Sequence, residues 1–172
     1  WTAEDPVEIT QKGLRQVQVN KKAGLDFAVV MKAFLRADPD IIMVGEMRDK
    51  ETTSTGIEAS LTGHLVFATL HTNSTFEAVN RIVDAFPSDQ QRQIHTQLAF
   101  VLEGVVTQQL VPRQRGGGRA MIAEVLVCTP AVKAVVREGK THQIYSLMQA
   151  GQKYGMQTMN QGLMQAVQDK SI

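Results

Sequence analysis

Between two stretches of helical periodicity lies a four-residue apolar run, Ile41-Ile42-Met43-Val44, that ends in Gly45 and delivers Glu46 at once. So short and so apolar a run is the pattern of a parallel strand buried between helices. Asp38-Pro39-Asp40 stops the preceding helix, because proline biases the residue before it away from helical backbone. In an open parallel sheet the carboxyl ends of the strands share one crevice, and ligand chemistry takes place there. Glu46 is therefore expected to face a site rather than bulk solvent.

The rest of the chain alternates in the same way. Trp1-Thr2-Ala3 reads as the tail of a strand, and Val17-Gln18-Val19 as a short extended piece. Asp26 to Arg36 carries Phe27, Val30, Met31, Phe34 and Leu35 at helical spacing. A helix is expected from Lys50 to Leu61, closed by Gly63, then a strand from Leu65 to Leu70. Ser74-Thr75-Phe76-Glu77 and Ser88-Asp89-Gln90-Gln91 fit capping boxes that open two more helices. Val105–Val111 and Met121–Val127 read as strands joined by a turn around Gly116-Gly117-Gly118, and the chain from Thr129 on is helical by pattern. Met156, Met159, Leu163, Met164 and Val167 fall on one face there, which reads as core packing. The fold class is α/β, a mostly parallel sheet followed by a helical subdomain, with core 1–127 and subdomain 128–172.

Composition excludes several functions. With 172 residues and 43% hydrophobic content, the chain is long enough for one domain with a sizeable core. A net charge of +1 gives no field suited to nucleic acid or an anionic membrane surface. The single Cys128 forms no internal disulfide and is read as a small buried apolar residue. No apolar stretch approaches a membrane span.

Candidate chemistry clusters just after the expected strands, at Glu4-Asp5-Pro6-Val7-Glu8, at Glu46, and at His64 and His71. Strand ends on one side of a parallel sheet would let Glu8, Glu46 and His71 converge. Read alone, Glu4, Asp5 and Glu8 fit a solvated loop better than a site. Two acidic groups beside a phosphate chain suit the tasks of nucleotide hydrolysis, which are to hold a metal and to orient water. His64 and His71 stand seven residues apart, so on a straight strand they point to opposite faces, and His71, at the carboxyl end, is the better candidate. His64 reads equally well as a strand-entry residue bonded to backbone. Gly139-Lys140-Thr141 is the one Gly-Lys-Thr sequence. Ala134 stands where a phosphate-binding loop needs its first glycine, and a helix pattern precedes it, so it is a decoy.

Three segments in order resemble the type II/type IV secretion ATPase family, the hexameric motors of pilus assembly, pilus retraction and type II export. Glu4 to Glu8 is similar to its aspartate box. Leu35 to Asp49 resembles the family signature, and within it Ile41 to Asp49 is similar to its atypical Walker B segment, with Gly45 where many nucleotide hydrolases carry aspartate. Gly63 to Thr72 is similar to its histidine box, and the likeness continues through Gly155-Met156-Gln157-Thr158. The resemblance implies a RecA-like ATPase core using ATP and Mg. It makes Glu8 the general base and places Glu46 at the magnesium, indirectly, and the γ-phosphate. His71 falls on the phosphate side, with Glu4, Asp5, His64 and Arg81 near the nucleotide. Arg36 and Arg48 belong to the signature as ion-pair partners. The P-loop is expected upstream of Trp1, so that this stretch is the back part of a longer protein and inactive alone.

The family's assembly and export members carry a four-cysteine insertion after the equivalent of Leu110-Val111-Pro112-Arg113, which this chain lacks. Thr129 to Glu138 partly matches the motif of the retraction branch, so retraction is favoured, with assembly or export as the alternative. Implied with it are a homo-oligomeric ring, an inner-membrane platform protein as partner, a cytoplasmic location with only peripheral membrane association, and no nucleic acid. A motor for DNA export shares the core fold, and the near-neutral charge counts against it. A chain that naturally begins at Trp1 would instead be a non-catalytic interaction module.

Overall fold

The computed structural model describes every residue from Trp1 to Ile172. The chain forms two compact units, Trp1–His71 with Ala85–Pro87, and Thr72–Asp84 with Ser88–Ile172. The contacts thus divide the chain at His71, not at residue 127.

The first unit holds a four-stranded, wholly parallel sheet in the order β2-β1-β3-β4, from β1 (Thr2–Glu4), β2 (Gln16–Gln18), β3 (Ile41–Val44) and β4 (Leu65–Ala68). Two helices cover one face, α1 (Phe27–Leu35) and α2 (Lys50–Leu61). Asp26 caps α1 by accepting from the Val29 N–H at 2.8 Å, and Asp49 caps α2 by accepting from Thr52 N–H at 2.8 Å. The α1 stripe of Phe27, Val30, Met31 and Phe34 joins Ala3, Ile42, Val44 and Ala59 in one core. Helix α2 is unusual in burying Thr52, Thr53 and Thr55. Their hydroxyls are satisfied locally: Thr53 donates to the Asp49 carbonyl at 2.8 Å and Thr55 to the Glu51 carbonyl at 2.9 Å.

The apolar run of β3 is buried on one face only. Ile42 and Val44 are inaccessible, whereas Ile41 (49% exposed) and Met43 (37%) share an open apolar face with Leu65 and Phe67. A run apolar at every position carries material for two covered faces, and within this unit helices cover one.

The second unit contains α3 (Thr75–Asp84), α4 (Ser88–Val101), an antiparallel ribbon of β5 (Gly104–Pro112) and β6 (Arg119–Val127), then α5 (Pro130–Arg137), α6 (Ile144–Ala150) and α7 (Met159–Gln168). The two expected strands pair with each other and not with the parallel sheet. Gly116, Gly117 and Gly118, all with positive φ near 70–80°, make the turn between them. The inner face of the ribbon buries Ile122, Glu124 and Leu126. Glu124 accepts from the Thr75 N–H at 2.7 Å and the Met159 N–H at 3.2 Å, so one buried carboxylate holds the first turns of both α3 and α7.

Helix α7 meets β6 through Gly162 and Ala166. A Cβ at Gly162 would lie 2.9 Å from Ile122 Cγ2. The expected core stripe is corrected here: Met156 is buried, but Met164 (65%) and Val167 (60%) are exposed. Small residues admit the closer approach, so they take the packed side.

Candidate functional site

Gly45 sets the geometry at the carboxyl end of β3. Its N–H donates to the Ala3 carbonyl at 2.7 Å, and a Cβ there would stand 2.9 Å from that oxygen and 3.2 Å from Glu4 Cα. No side chain fits against β1 at that distance, which accounts physically for glycine where other nucleotide hydrolases carry aspartate. The chain then turns, and the turn is braced from β4. Met47 N–H donates to the Thr69 carbonyl at 3.1 Å, and the Thr69 hydroxyl donates to the Gly45 carbonyl.

Glu46 is thereby presented at the strand end with its side chain only 14% exposed. Arg48 pairs with its Oε2, and His71 Nε2 stands 3.1 Å from its Oε1. The hydrogen bond from Arg48 holds the carboxyl below its ordinary range; burial opposes this, and the charges of Arg48 and His71 add to it. Arg48 is shifted upward in turn, chiefly by Glu46, with a smaller contribution from the Asp5 charge. Asp5, Glu46 and Arg48 line one cavity of about 310 Å³, which the first residues of α1 and α2 also border.

The structure therefore brings together Asp5, Glu46, Arg48 and His71, drawn from the ends of three adjacent parallel strands. Glu4 sits at the end of β1 and faces β2, its Oε1 accepting from Thr2 Oγ1 at 2.6 Å and Gln16 Nε2 at 3.0 Å. Glu8 lies exposed on the loop between β1 and β2, outside that cluster. Two glutamines of β2 tether this loop. Gln16 donates to the Ile9 carbonyl at 3.0 Å and accepts from Gln11 N–H at 2.7 Å, and Gln18 accepts from Val7 N–H at 3.3 Å.

His64 occupies the opposite end of β4 from His71. Its Nδ1 is 3.0 Å from the Ala59 carbonyl at the end of α2, the arrangement of a residue that fixes strand entry. Arg81 lies on α3, in the second unit.

Gly139-Lys140-Thr141 follows α5 rather than a strand, and Lys140 pairs with Glu138 at 2.8 Å. No three His, Cys, Asp or Glu side chains are grouped to hold a metal. Sequence reading passed over the bracing role of Thr69, and gave Arg48 as an ion-pair partner without naming Glu46 as its acid. The first has no signal beyond its place past an apolar strand. The second was visible as a basic residue two positions from the key acid.

A family model described as "Type II/IV secretion system protein" matches residues 1–171. The twitching motility protein of Neisseria gonorrhoeae is 42% identical over 99% of this chain and 46% of its own length. The type IV pilus retraction ATPase PilT of Pseudomonas aeruginosa is 40% identical over 92% of this chain and 47% of its own. Among solved structures, the pilus retraction motor PilT with bound ADP superposes with a TM-score of 0.88 at 43% identity, covering 99% of this chain and 49% of that one. The chain spans about half the length of these relatives. A match across nearly every residue, in sequence and in fold alike, places the chain in the Type II/IV secretion system protein family.

Proposed function

We propose that this chain is the carboxyl-terminal, nucleotide-facing portion of an ATPase motor of the pilus-retraction kind. The observation that carries the reading is the Glu46 carboxylate, kept ionised and oriented at the carboxyl end of a parallel sheet beside Asp5 and His71. The likeness to a retraction motor with bound ADP supports nucleotide as the ligand.

The residues fit Mg·ATP in part. Mg²⁺ keeps several waters and takes phosphate oxygens, so it needs no cage of side chains, only a carboxylate nearby. The chain has no glycine-rich loop between a strand and a helix, and the grip on the phosphates is assigned to the half of the relatives' length that it does not cover. Bound Mg·ATP supplies the electrophilic phosphorus and a divalent charge.

This chain's residues do the rest. Glu46 would hold a bound magnesium ion indirectly, through water, and His71 presents its ring on the solvent side. Glu8, on its tethered loop, is assigned the proton of the attacking water. Asp5 balances the charge of Arg48.

In the complete protein, copies assemble into a ring, and hydrolysis drives force against a platform protein at the cytoplasmic face of the inner membrane. No helix here is long and apolar enough to cross a membrane.

The test uses the full-length protein. Glu46→Gln and Glu8→Gln should each leave ADP affinity within a few-fold and lower turnover by ~100-fold or more, the scale of a lost positioned acid or base. Unchanged turnover of Glu46→Gln would refute the reading, and unchanged turnover of Glu8→Gln would remove Glu8 from its role.

A further inference from the structure

The account so far gives Arg48 no task beyond its charge. Its guanidinium closes on Glu46 Oε2 while His71 Nε2 stands 3.1 Å from Oε1, so each carboxylate oxygen has a separate nitrogen partner. The terminal torsion of a glutamate is broad and roughly two-fold, so a carboxylate held at one oxygen turns freely about its last bond. Held at both, it has a fixed plane.

Exposure is divided unequally: 14% for the Glu46 side chain, against 64% for Arg48 and 75% for His71. The acid is the enclosed member, and its two nitrogen partners reach it from the solvent side. The backbone beneath is already fixed by Met47 N–H to the Thr69 carbonyl and by the Thr69 hydroxyl to the Gly45 carbonyl. Above that backbone the side chain keeps its own torsions, and Arg48 with His71 restrains the last of them.

We propose that Arg48 is a positioning residue for hydrolysis: together with His71 it fixes the plane of the Glu46 carboxylate, and it acts on the reaction only through that carboxylate. Asp5 lines the same cavity on the β1 side, and its charge favours the charged form of Arg48. This rests on the reading of Glu46 as a residue of the nucleotide site. It goes beyond that reading in naming a residue that touches neither the nucleotide nor the attacking water.

The experiment compares full-length wild type with Arg48→Gln, Arg48→Lys, Glu46→Gln and the Glu46→Gln/Arg48→Gln double variant. It measures kcat and KM for ATP and the affinity for a fluorescent ADP analogue. Arg48 is largely exposed, so the substitutions leave no buried gap. Arg48→Gln should lower kcat by roughly 10- to 100-fold, the cost of a misplaced catalytic group, with KM and ADP affinity within about twofold.

Arg48→Lys should recover part of the loss, since a point charge still holds one oxygen but lacks the planar fork. In the Glu46→Gln background the second substitution should cost almost nothing, because the group it positions is gone. An equal cost in both backgrounds would overturn the proposal, and so would a raised KM with kcat unchanged, which would place Arg48 on the nucleotide itself. Full activity of Arg48→Gln beside a crippled Glu46→Gln would sink this proposal alone. Full activity of Glu46→Gln would sink the functional reading beneath it.

Discussion

Gly45→Ala is the most economical perturbation of the site, because it adds one carbon and no charge. That carbon would stand 2.9 Å from the Ala3 carbonyl oxygen and 3.2 Å from Glu4 Cα, and both neighbours are backbone atoms. They cannot rotate away. Relief requires the end of β1 to shift, against Gly45 N–H to Ala3 O (2.7 Å), Met43 N–H to Trp1 O (2.8 Å) and Val19 N–H to Glu4 O (2.8 Å). Overpacking of this kind costs ~1–3 kcal/mol.

Gly45 has no positive φ, so alanine brings no backbone strain, and it gains up to ~1 kcal/mol by restricting the unfolded chain. The net expectation is a loss of ~1–2 kcal/mol. Gly45→Asp, which restores the residue common in other nucleotide hydrolases, should lose more, since its carboxylate would crowd the Glu4 side chain and the adjacent Glu46. Trp1, the single tryptophan, packs edge-on against Phe34 at 5.2 Å in the first unit. Its fluorescence through a urea titration therefore reports on that unit, and the two units need not unfold together. A Gly45→Ala midpoint equal to or above wild type would refute the close-approach argument.

Three further outcomes can be checked. Glu124→Ala removes both acceptors for the first turns of α3 and α7; at ~1.5–3 kcal/mol for each hydrogen bond to a charged group, the second unit should lose ~3–6 kcal/mol in chemical denaturation, and a loss under ~1 would deny the double cap. The Glu46 carboxyl sits below its ordinary 4.5, chiefly through the Arg48 hydrogen bond, so its contribution to stability is full above that value and fades as pH falls through the lower folded value. Arg48→Gln should flatten this acid limb in the Trp1-monitored midpoint, and an unaltered limb would contradict the pairing. Burial pushes the Cys128 thiol up to about 11, so a disulfide reagent near pH 8 should label it slowly in the folded protein and at once in denaturant; rapid labelling of the native form would show the site to be open.

The parts of the fold legible in the sequence were those fixed by short-range patterns. The apolar run before Gly45 gave β3 and the direction of Glu46, and the spacing of Phe27, Val30, Met31 and Phe34 gave α1 and its buried face. What stayed hidden depends on partners distant in sequence. An apolar strand does not announce that only one of its faces is covered, so the exposure of Ile41 and Phe67 came from the structure.

Alternating residues in β5 and β6 do not tell whether those strands join the parallel sheet or pair with each other. The stripe on α7 predicted a packed face, but Gly162 and Ala166 won it because they let β6 come nearer than methionine would. Within the site, Glu46 and His71 follow from their places after strands. Arg48 closing on Glu46, and the separation of His64 from His71 by the length of β4, are matters of three-dimensional direction that spacing constrains only weakly.

The central claim is that a terminal phosphate faces the end of β3. A structure of the full-length protein with Mg²⁺ and a non-hydrolysable ATP analogue tests it most directly. The account predicts the terminal phosphate in front of the Glu46 carboxylate, at the edge where β1, β3 and β4 end, with a water between them. A phosphate chain bound at the opposite edge, where His64 enters β4, would contradict it.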